Sequence, residues 1–343
     1  MTSCRQWQQR GLVIAFLTGA VTTGSLQAQS VLRLPTKTIE VAGLNRWTVG
    51  MIQDSMKKYA PGESLASHAC AAVLRYKLHF AEASSNSQMG YPYTDTLEHV
   101  FVAVVEPQDS ARVHHRAMPY DSTAGYAPWK DAVAILDRSP AAVEMGVSGY
   151  LQWRIDSSHV EKTGRAALDA DIAQYRKELA GRTGEADYRT AIRMLRTNRD
   201  FRVRVVAATI LLNFANRDSA LYALVDAVLE PDGMVTGFAG SVINEVANGT
   251  PKPVNWNPAA KSLHAIFDGS KPFNISQVMR LVTRTGANPS LARGFLKGGG
   301  RMVLAFAGAE SLVPKQEATD LLIHLAGRDL GSAEAWKAWV AAL

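Results

Sequence analysis

Cysteine is scarce in this chain of 343 residues: Cys4 and Cys70 are the whole supply. Cys4 falls within the first 28 residues, which read as a removable leader, so Cys70 would stand alone and no intramolecular disulfide could form. Stability then has to come from packing. Beyond the leader there is no apolar run near the ~20 residues that a membrane-spanning helix needs, so a soluble mature protein is expected. No glycine-rich phosphate loop, zinc-protease helix signature or nucleophile elbow occurs. Charge is moderate, 20% of residues with a net +6, falling to +4 once Arg5 and Arg10 are discounted. That balance, without aromatic residues interleaved among the basic ones, argues against nucleic acid as a partner. With 47% hydrophobic residues, disorder is excluded and two cores are affordable in length.

Arg5 and Arg10 precede the apolar run Gly11 to Val21, and Gly24-Ser-Leu-Gln-Ala28 supplies small residues at its exit. This is the pattern of a secretory signal peptide over residues 1–28, cleaved after Ala28, and it places the mature chain in the periplasm or outside the cell. Cys4 stands ahead of the apolar run, where a lipoprotein cysteine would have to follow it, so no lipid anchor is read. Asn248-Gly-Thr and Asn274-Ile-Ser fit glycosylation sequons, a pattern short enough to recur by chance.

Residues 31–128 read as a small α+β domain. Thr38 to Val41 predicts a strand, and Val49 to Tyr59 a helix that stops at Pro61-Gly62. Leu74, Tyr76, Leu78 and Phe80 alternate with polar residues and predict a second strand. His99 to Glu106 and Ala111 to Met118 predict two more, joined as a hairpin through Pro107-Gln-Asp-Ser110. Met118 to Trp129 reads as a loop.

Helices follow, with residues 129–186 as a helical connector. Ser139-Pro140 favours a helix start, Ser158 with Glu161 could form a capping box, and Leu168, Ile172, Tyr175 and Leu179 form an apolar stripe closed by Gly181. From 187 the pattern sharpens into four short helices, at 188–197, 201–215, 219–229 and 235–247, with turns too short for anything but antiparallel neighbours. Two of them repeat at an offset of 32 residues. Val203, Ala207, Leu211 and Phe214 recur as Val235, Ala239, Ile243 and Val246, with Asp200 and Asp232 in the preceding turns.

These residues resemble the HEAT-repeat family, whose signature is a turn acid, then valine-arginine, then alanines and a leucine. Asp200, Val203, Arg204, Ala207, Ala208 and Leu211 match it, while the second copy has Thr236 for the arginine and Gly240 for the second alanine. The resemblance implies a curved α-helical solenoid over 187–343, used as a protein-binding scaffold, in which Arg204 ties successive turns together with Asp200. After Gly249 the proline-rich stretch 250–257 breaks the register; apolar stripes then resume, and Trp336, Trp339 and Val340 share a face that suits a terminal cap.

Arg189, Arg193, Arg196, Arg199, Arg202 and Arg204 crowd sixteen positions with the single acid Asp200. Some belong to turns, but Arg189, Arg193 and Arg196 recur at spacings of four and three beside Ile192 and Leu195, so they form the candidate partner-binding face for an acidic protein. The rival reading is an envelope enzyme, or a sensor of a metal or ligand, with its site in the amino-terminal sheet and the repeats as a docking arm. His68, His79, His99, His114 and His115 gather there with Cys70, and His68 could activate the thiol. No close-set ligand spacing appears, so no metal or cofactor is expected. Ser55-Met-Lys-Lys58 with Lys162-Thr-Gly164 mimics the outer motifs of serine penicillin-recognising enzymes, but the middle motif is missing and Ser55 falls inside a helix. Gly298-Gly-Gly300 reads as a turn. No catalytic residue is assigned.

Expressed with its leader in a secreting host, the chain is expected to yield a product whose amino-terminal sequence starts at Gln29. Sequencing or intact mass of the exported protein checks this.

Overall fold

The computed structural model describes residues 31–88, 96–119, 129–155 and 166–343. The amino-terminal part contains β1 (Val31–Leu34), β2 (Lys37–Ala42), α1 (Val49–Tyr59), α2 (His68–Tyr76), β3 (Glu82–Gln88) and β4 (Glu98–Val105). The sheet order is β1-β2-β4-β3, with β2 and β4 parallel and the other pairs antiparallel. The parallel pair is possible because α1 and α2 intervene and carry the chain back across the sheet. Both sheet faces are covered. Val100, Val102 and Val104 point into a core shared with Ile52, Met56, Cys70, Val73 and Leu74, whereas Ala103 and Val105 join the core of the helical part. A strand buried on both sides reads as a continuous apolar run, which is how 100–105 looks.

Two predicted strands are overturned. Residues 68–76 form α2: Ser67 caps it by accepting from Ala69 N at 3.1 Å, and Cys70, Val73 and Leu74 are buried at helical spacing while Tyr76 is 71% exposed. The period-two pattern straddled the helix end and the left-handed turn at His79, whose φ is 58°. Residues 111–118 do not pair into the sheet either; a 3₁₀ turn at Pro107–Arg112 leads into an extended strap. The true hairpin partner of β4 is β3, whose polar sequence EASSNSQ hides it from pattern reading.

The helices are α3 (Lys130–Arg138), α4 (Pro140–Val147), α5 (Tyr150–Ile155), α6 (Ala166–Ala180), α7 (Glu185–Thr197), α8 (Phe201–Ile210), α9 (Asp218–Val228), α10 (Gly233–Asn248), α11 (Ala260–Phe267), α12 (Ile275–Arg284), α13 (Ala292–Leu296), α14 (Arg301–Ala307), α15 (Leu312–Ala326) and α16 (Ala333–Ala341). The leader, residues 120–128 of the expected loop, and Ser158 with Glu161 lie outside the described residues. Among the described residues, no helix is long and apolar enough to cross a membrane. Pro140 opens α4 as expected, although Ser139 makes no side-chain cap. Tyr175 and Leu179 bury the α6 stripe.

The repeat units are adjacent. α7 packs on α8 and α9, α9 on α10 and α11, and α8 on α10, with α10 continuing onto α12 and α12 onto α15. Asp200 caps α8 through Arg202 N at 2.9 Å, and Asp232 caps α10 through Met234 N and Val235 N at 3.0 and 3.1 Å. The two departures in the second copy have local causes. Thr236 Oγ1 donates to Glu230 O, the turn carbonyl 32 residues beyond the Asn198 O that Arg204 holds. A Cβ at Gly240 would sit 1.8 Å from the buried Asn274 amide, so only glycine lets α10 and the turn before α12 approach so closely. The same helical core takes in α3 on α8 and α4 on α10, while α14 and the turn at 272–274 meet the sheet.

Buried carboxylates join these layers through backbone amides. Glu106, at the end of β4, accepts from Asn45 N, Arg46 N and Trp47 N at 2.6 to 3.0 Å and fixes the entry to α1. Glu40 of β2 accepts from Glu310 N and Ser311 N at 2.6 and 2.7 Å ahead of α15, and Glu245 accepts from Gly149 N and Leu151 N, each at 2.9 Å, at the start of α5. Burial alone would raise the Glu106 carboxyl, but the three amides and Gln108 outweigh it and hold it below the usual range. A depressed folded-state value means stability that is present above the unfolded glutamate value of about 4.3 and is lost as pH falls through the folded value. Glu106→Gln is expected to cost about 1–3 kcal/mol at pH 7 and to flatten the acid limb of a stability-versus-pH series measured by urea unfolding.

Candidate interaction face

Five of the six arginines between 189 and 204 separate into two groups once folded, and Arg199 is exposed in the turn before α8. Arg204 is fully buried and donates to Asn198 O and Arg199 O at 2.8 and 2.9 Å. Its ionic partner is Glu230, at 3.2 Å, and the Asp200 partner implied by the HEAT resemblance is replaced. Asp200 is occupied by Arg202, whose guanidinium holds that carboxyl below its usual range and also reaches Asp137 of α3 at 3.1 Å. Arg202 and Arg204 are therefore structural.

Arg189, Arg193 and Arg196 remain exposed along α7, whose opposite side buries Ala191, Met194 and Leu195; Ile192 is only half-buried. Helical spacing puts the three cations in a row roughly 10 Å long. Arg189 Nε lies 2.9 Å from Glu185 in an exposed pair, and Arg217 reaches the same carboxylate at 2.7 Å. Those two arginines keep Glu185 below its usual range, and Arg217 also lies 4.3 Å from the Tyr188 ring centroid. The result is a basic stripe that follows an amino-terminal turn carrying Glu185 and Asp187.

What holds α7 in place was not visible in the sequence. Arg116, on the strap after β4, donates to Leu195 O and Arg196 O at 2.8 and 3.1 Å, satisfying carbonyls in the last turn of α7. The same guanidinium pairs with Asp226 at 3.1 Å and Glu230 at 2.7 Å, while its backbone N–H donates to Leu229 O at 2.8 Å. Glu230 is thus a fully buried carboxylate between two arginines, its carboxyl raised by burial against the pull of Arg116 and Arg204. Further back the strap continues across the next turns: His114 N donates to Ser270 Oγ at 2.9 Å, Arg112 Nη2 to Asp268 O at 2.6 Å, and Asp109 lies 3.5 Å from Arg301. Glu230, whose turn matched the repeat, was the one legible signal for this arrangement.

His115 bonds Glu82, His79 sits exposed in its turn after α2, His114 is exposed on the strap, and His99 opens β4 opposite Gln88. Among the described residues, no three His, Cys, Asp or Glu side chains are grouped to hold a metal. Cys70 is fully buried, and burial pushes its thiol up to about 12, which removes the thiolate a nucleophile requires. Ser55 sits mid-helix in α1 with its hydroxyl bonded to Met51 O, and Lys162 to Gly164 lie outside the described residues. Gly298 and Gly300, with φ of 70° and 72°, form the turn into α14.

Removing one member of a buried ion pair leaves its partner uncompensated. Glu230→Leu is expected to destabilise the protein by about 3–5 kcal/mol, whereas Arg189→Ala, at an exposed pair, should change stability by less than about 1 kcal/mol in the same urea titration. Comparison of the chain with protein-family models, with curated proteins and with solved structures finds no match.

Proposed function

We propose that this chain is an exported HEAT-like helical repeat protein that serves as a protein–protein interaction scaffold, with the α7 stripe of Arg189, Arg193 and Arg196 as its contact face for an acidic partner. The observation that carries the proposal is the stacking of α7–α8 on α9–α10 with the repeat period of 32 residues, leaving these three arginines outward while Arg202 is engaged by Asp200 and Asp137 and Arg204 by Glu230. A rigid helix presents charges at fixed spacing, so an acidic surface meets them at little entropic cost. Guanidinium groups add bidentate recognition of carboxylates. Such a contact draws its rate and specificity from electrostatics and weakens with salt.

The enzyme or sensor reading has less to stand on, because among the described residues no three His, Cys, Asp or Glu side chains are grouped to hold a metal and its thiol is buried.

Immobilised mature protein, challenged with envelope extract from the source cell at low and high salt, is expected to retain acidic proteins that elute as salt rises. The double substitution Arg189→Glu with Arg193→Glu should abolish that retention and leave the unfolding transition near wild type. An unchanged set of retained proteins would refute the arginine face.

A further inference from the structure

Where α5, α10 and α12 end, the helical part carries an open groove of about 920 Å³. Clefts of that volume take whole ligands rather than a handful of waters. The turn before α5 lines it through Ser148 and Gly149, and the stretch after α10 through Thr250, Pro251 and Lys252. Arg154 of α5 and Arg284 at the end of α12 stand in its walls, both exposed. Leu151, Ala215 and Val246 add apolar surface. The groove shares no residue with the arginine stripe on α7.

Its two arginines are held by neutral acceptors. Arg154 Nη1 donates to Asn213 Oδ1 at 3.0 Å, with the guanidinium 5.9 Å from the Tyr150 ring centroid. Arg284 Nη2 donates to Gly249 O, a carbonyl at the end of α10, at 2.9 Å. An amide or carbonyl oxygen fixes a guanidinium in place without cancelling its charge. Among the described residues neither arginine has a carboxylate partner, and Lys252 is exposed in the same lining. Among the described residues Glu245 is the one acid that lines the groove, and it is buried with its two oxygens engaged by Gly149 N and Leu151 N. Three cations against one occupied carboxylate leave the groove basic, and the arginines are oriented before any ligand arrives.

Size and charge together narrow the ligand. A single carboxylate or phosphate fills only a small part of such a groove, and cations from three separate elements suit a ligand with several negative groups along its length. The polar lining narrows it further. Gln152, Asn216 and Asn248 carry side-chain amides, which both donate and accept and so match the N–H and C=O groups of a peptide backbone. Asn248 Oδ1 accepts from Arg280 Nη1 at 3.1 Å, which leaves its N–H groups to donate to a ligand carbonyl. Leu151, Ala215 and Val246 offer apolar surface to side chains between the acids. We propose that this groove binds a short acidic peptide segment, with Arg154, Lys252 and Arg284 meeting its carboxylates and the side-chain amides meeting its backbone.

Titration calorimetry of the full mature chain tests this. The probes are acetylated, amidated pentapeptides in which glutamates alternate with leucine or valine, their glutamine-for-glutamate copies, succinate and inorganic phosphate. At least one acidic peptide is expected to bind with Kd on the order of 100 μM, and the glutamine copies and small anions about tenfold more weakly or worse. Arg154→Gln with Arg284→Gln should lower the affinity about tenfold or more. Lys252→Glu, at an exposed position, should weaken binding by a similar factor with the melting temperature near wild type, so the test survives if the arginine variant fails to fold. Arg189→Glu with Arg193→Glu should leave peptide binding unchanged, which separates this groove from the α7 face. The proposal is overturned if no acidic peptide binds, if the glutamine copies or small anions bind as tightly, if affinity is unchanged in Lys252→Glu or in the folded arginine variant, or if the α7 variant abolishes binding.

Discussion

Backbone groups that secondary structure leaves unpaired are satisfied in this protein by charged side chains reaching in from distant segments, and the arrangement of its layers depends on that. Glu40, Glu106 and Glu245 each accept from amides at the entry to a helix, and Arg116 donates to carbonyls at the end of α7. A helix terminus cannot satisfy its own outer groups. Here the satisfying residue lies roughly 60 to 270 positions away at Glu106 and Glu40, so each bond that completes a helix also fixes one layer against another. Charge-assisted bonds of this kind are the stronger class, and in a buried setting they carry geometry as well as energy.

The strap from Pro107 to Arg116 is the fullest expression of this constraint. It crosses one turn of the repeat part at Leu229 and Glu230 and the next at Asp268 and Ser270, making a different polar contact at each. The amino-terminal part thus occupies this row of turns between helices. The sheet and α3 to α6 cover further helical surface, since α3 meets α8, α4 meets α10, and Phe101 of β4 packs edge-on against Phe306 at 4.9 Å. What is left outward on α7 is largely charged.

Much of the helical part was legible in the sequence for a plain reason. The four helices from α7 to α10 carry apolar residues at helical spacing, acids at their starts and short turns, so local chemistry and global packing agree there. β2, β4 and α1 were legible on the same grounds. The amino-terminal errors share one cause: α2 is short and its apolar residues sit where a strand would also place them, and β3 has almost no apolar signal because pairing with β4 selects it. Of the candidate site, the exposed row at 189, 193 and 196 followed from helical spacing. The removal of Arg202 and Arg204 from the basic cluster did not, because Asp137 and Glu230 lie 65 and 26 positions from them.

The order of amino acids alone settled that the chain is an α+β protein with a small sheet followed by many helices, because period and capping act within a few residues. Only the tertiary structure decided which charges are spent inside and which face outward, and where the strap runs. Electrostatic and hydrogen-bond partners are chosen by proximity in space, and no local pattern in a linear chain records that.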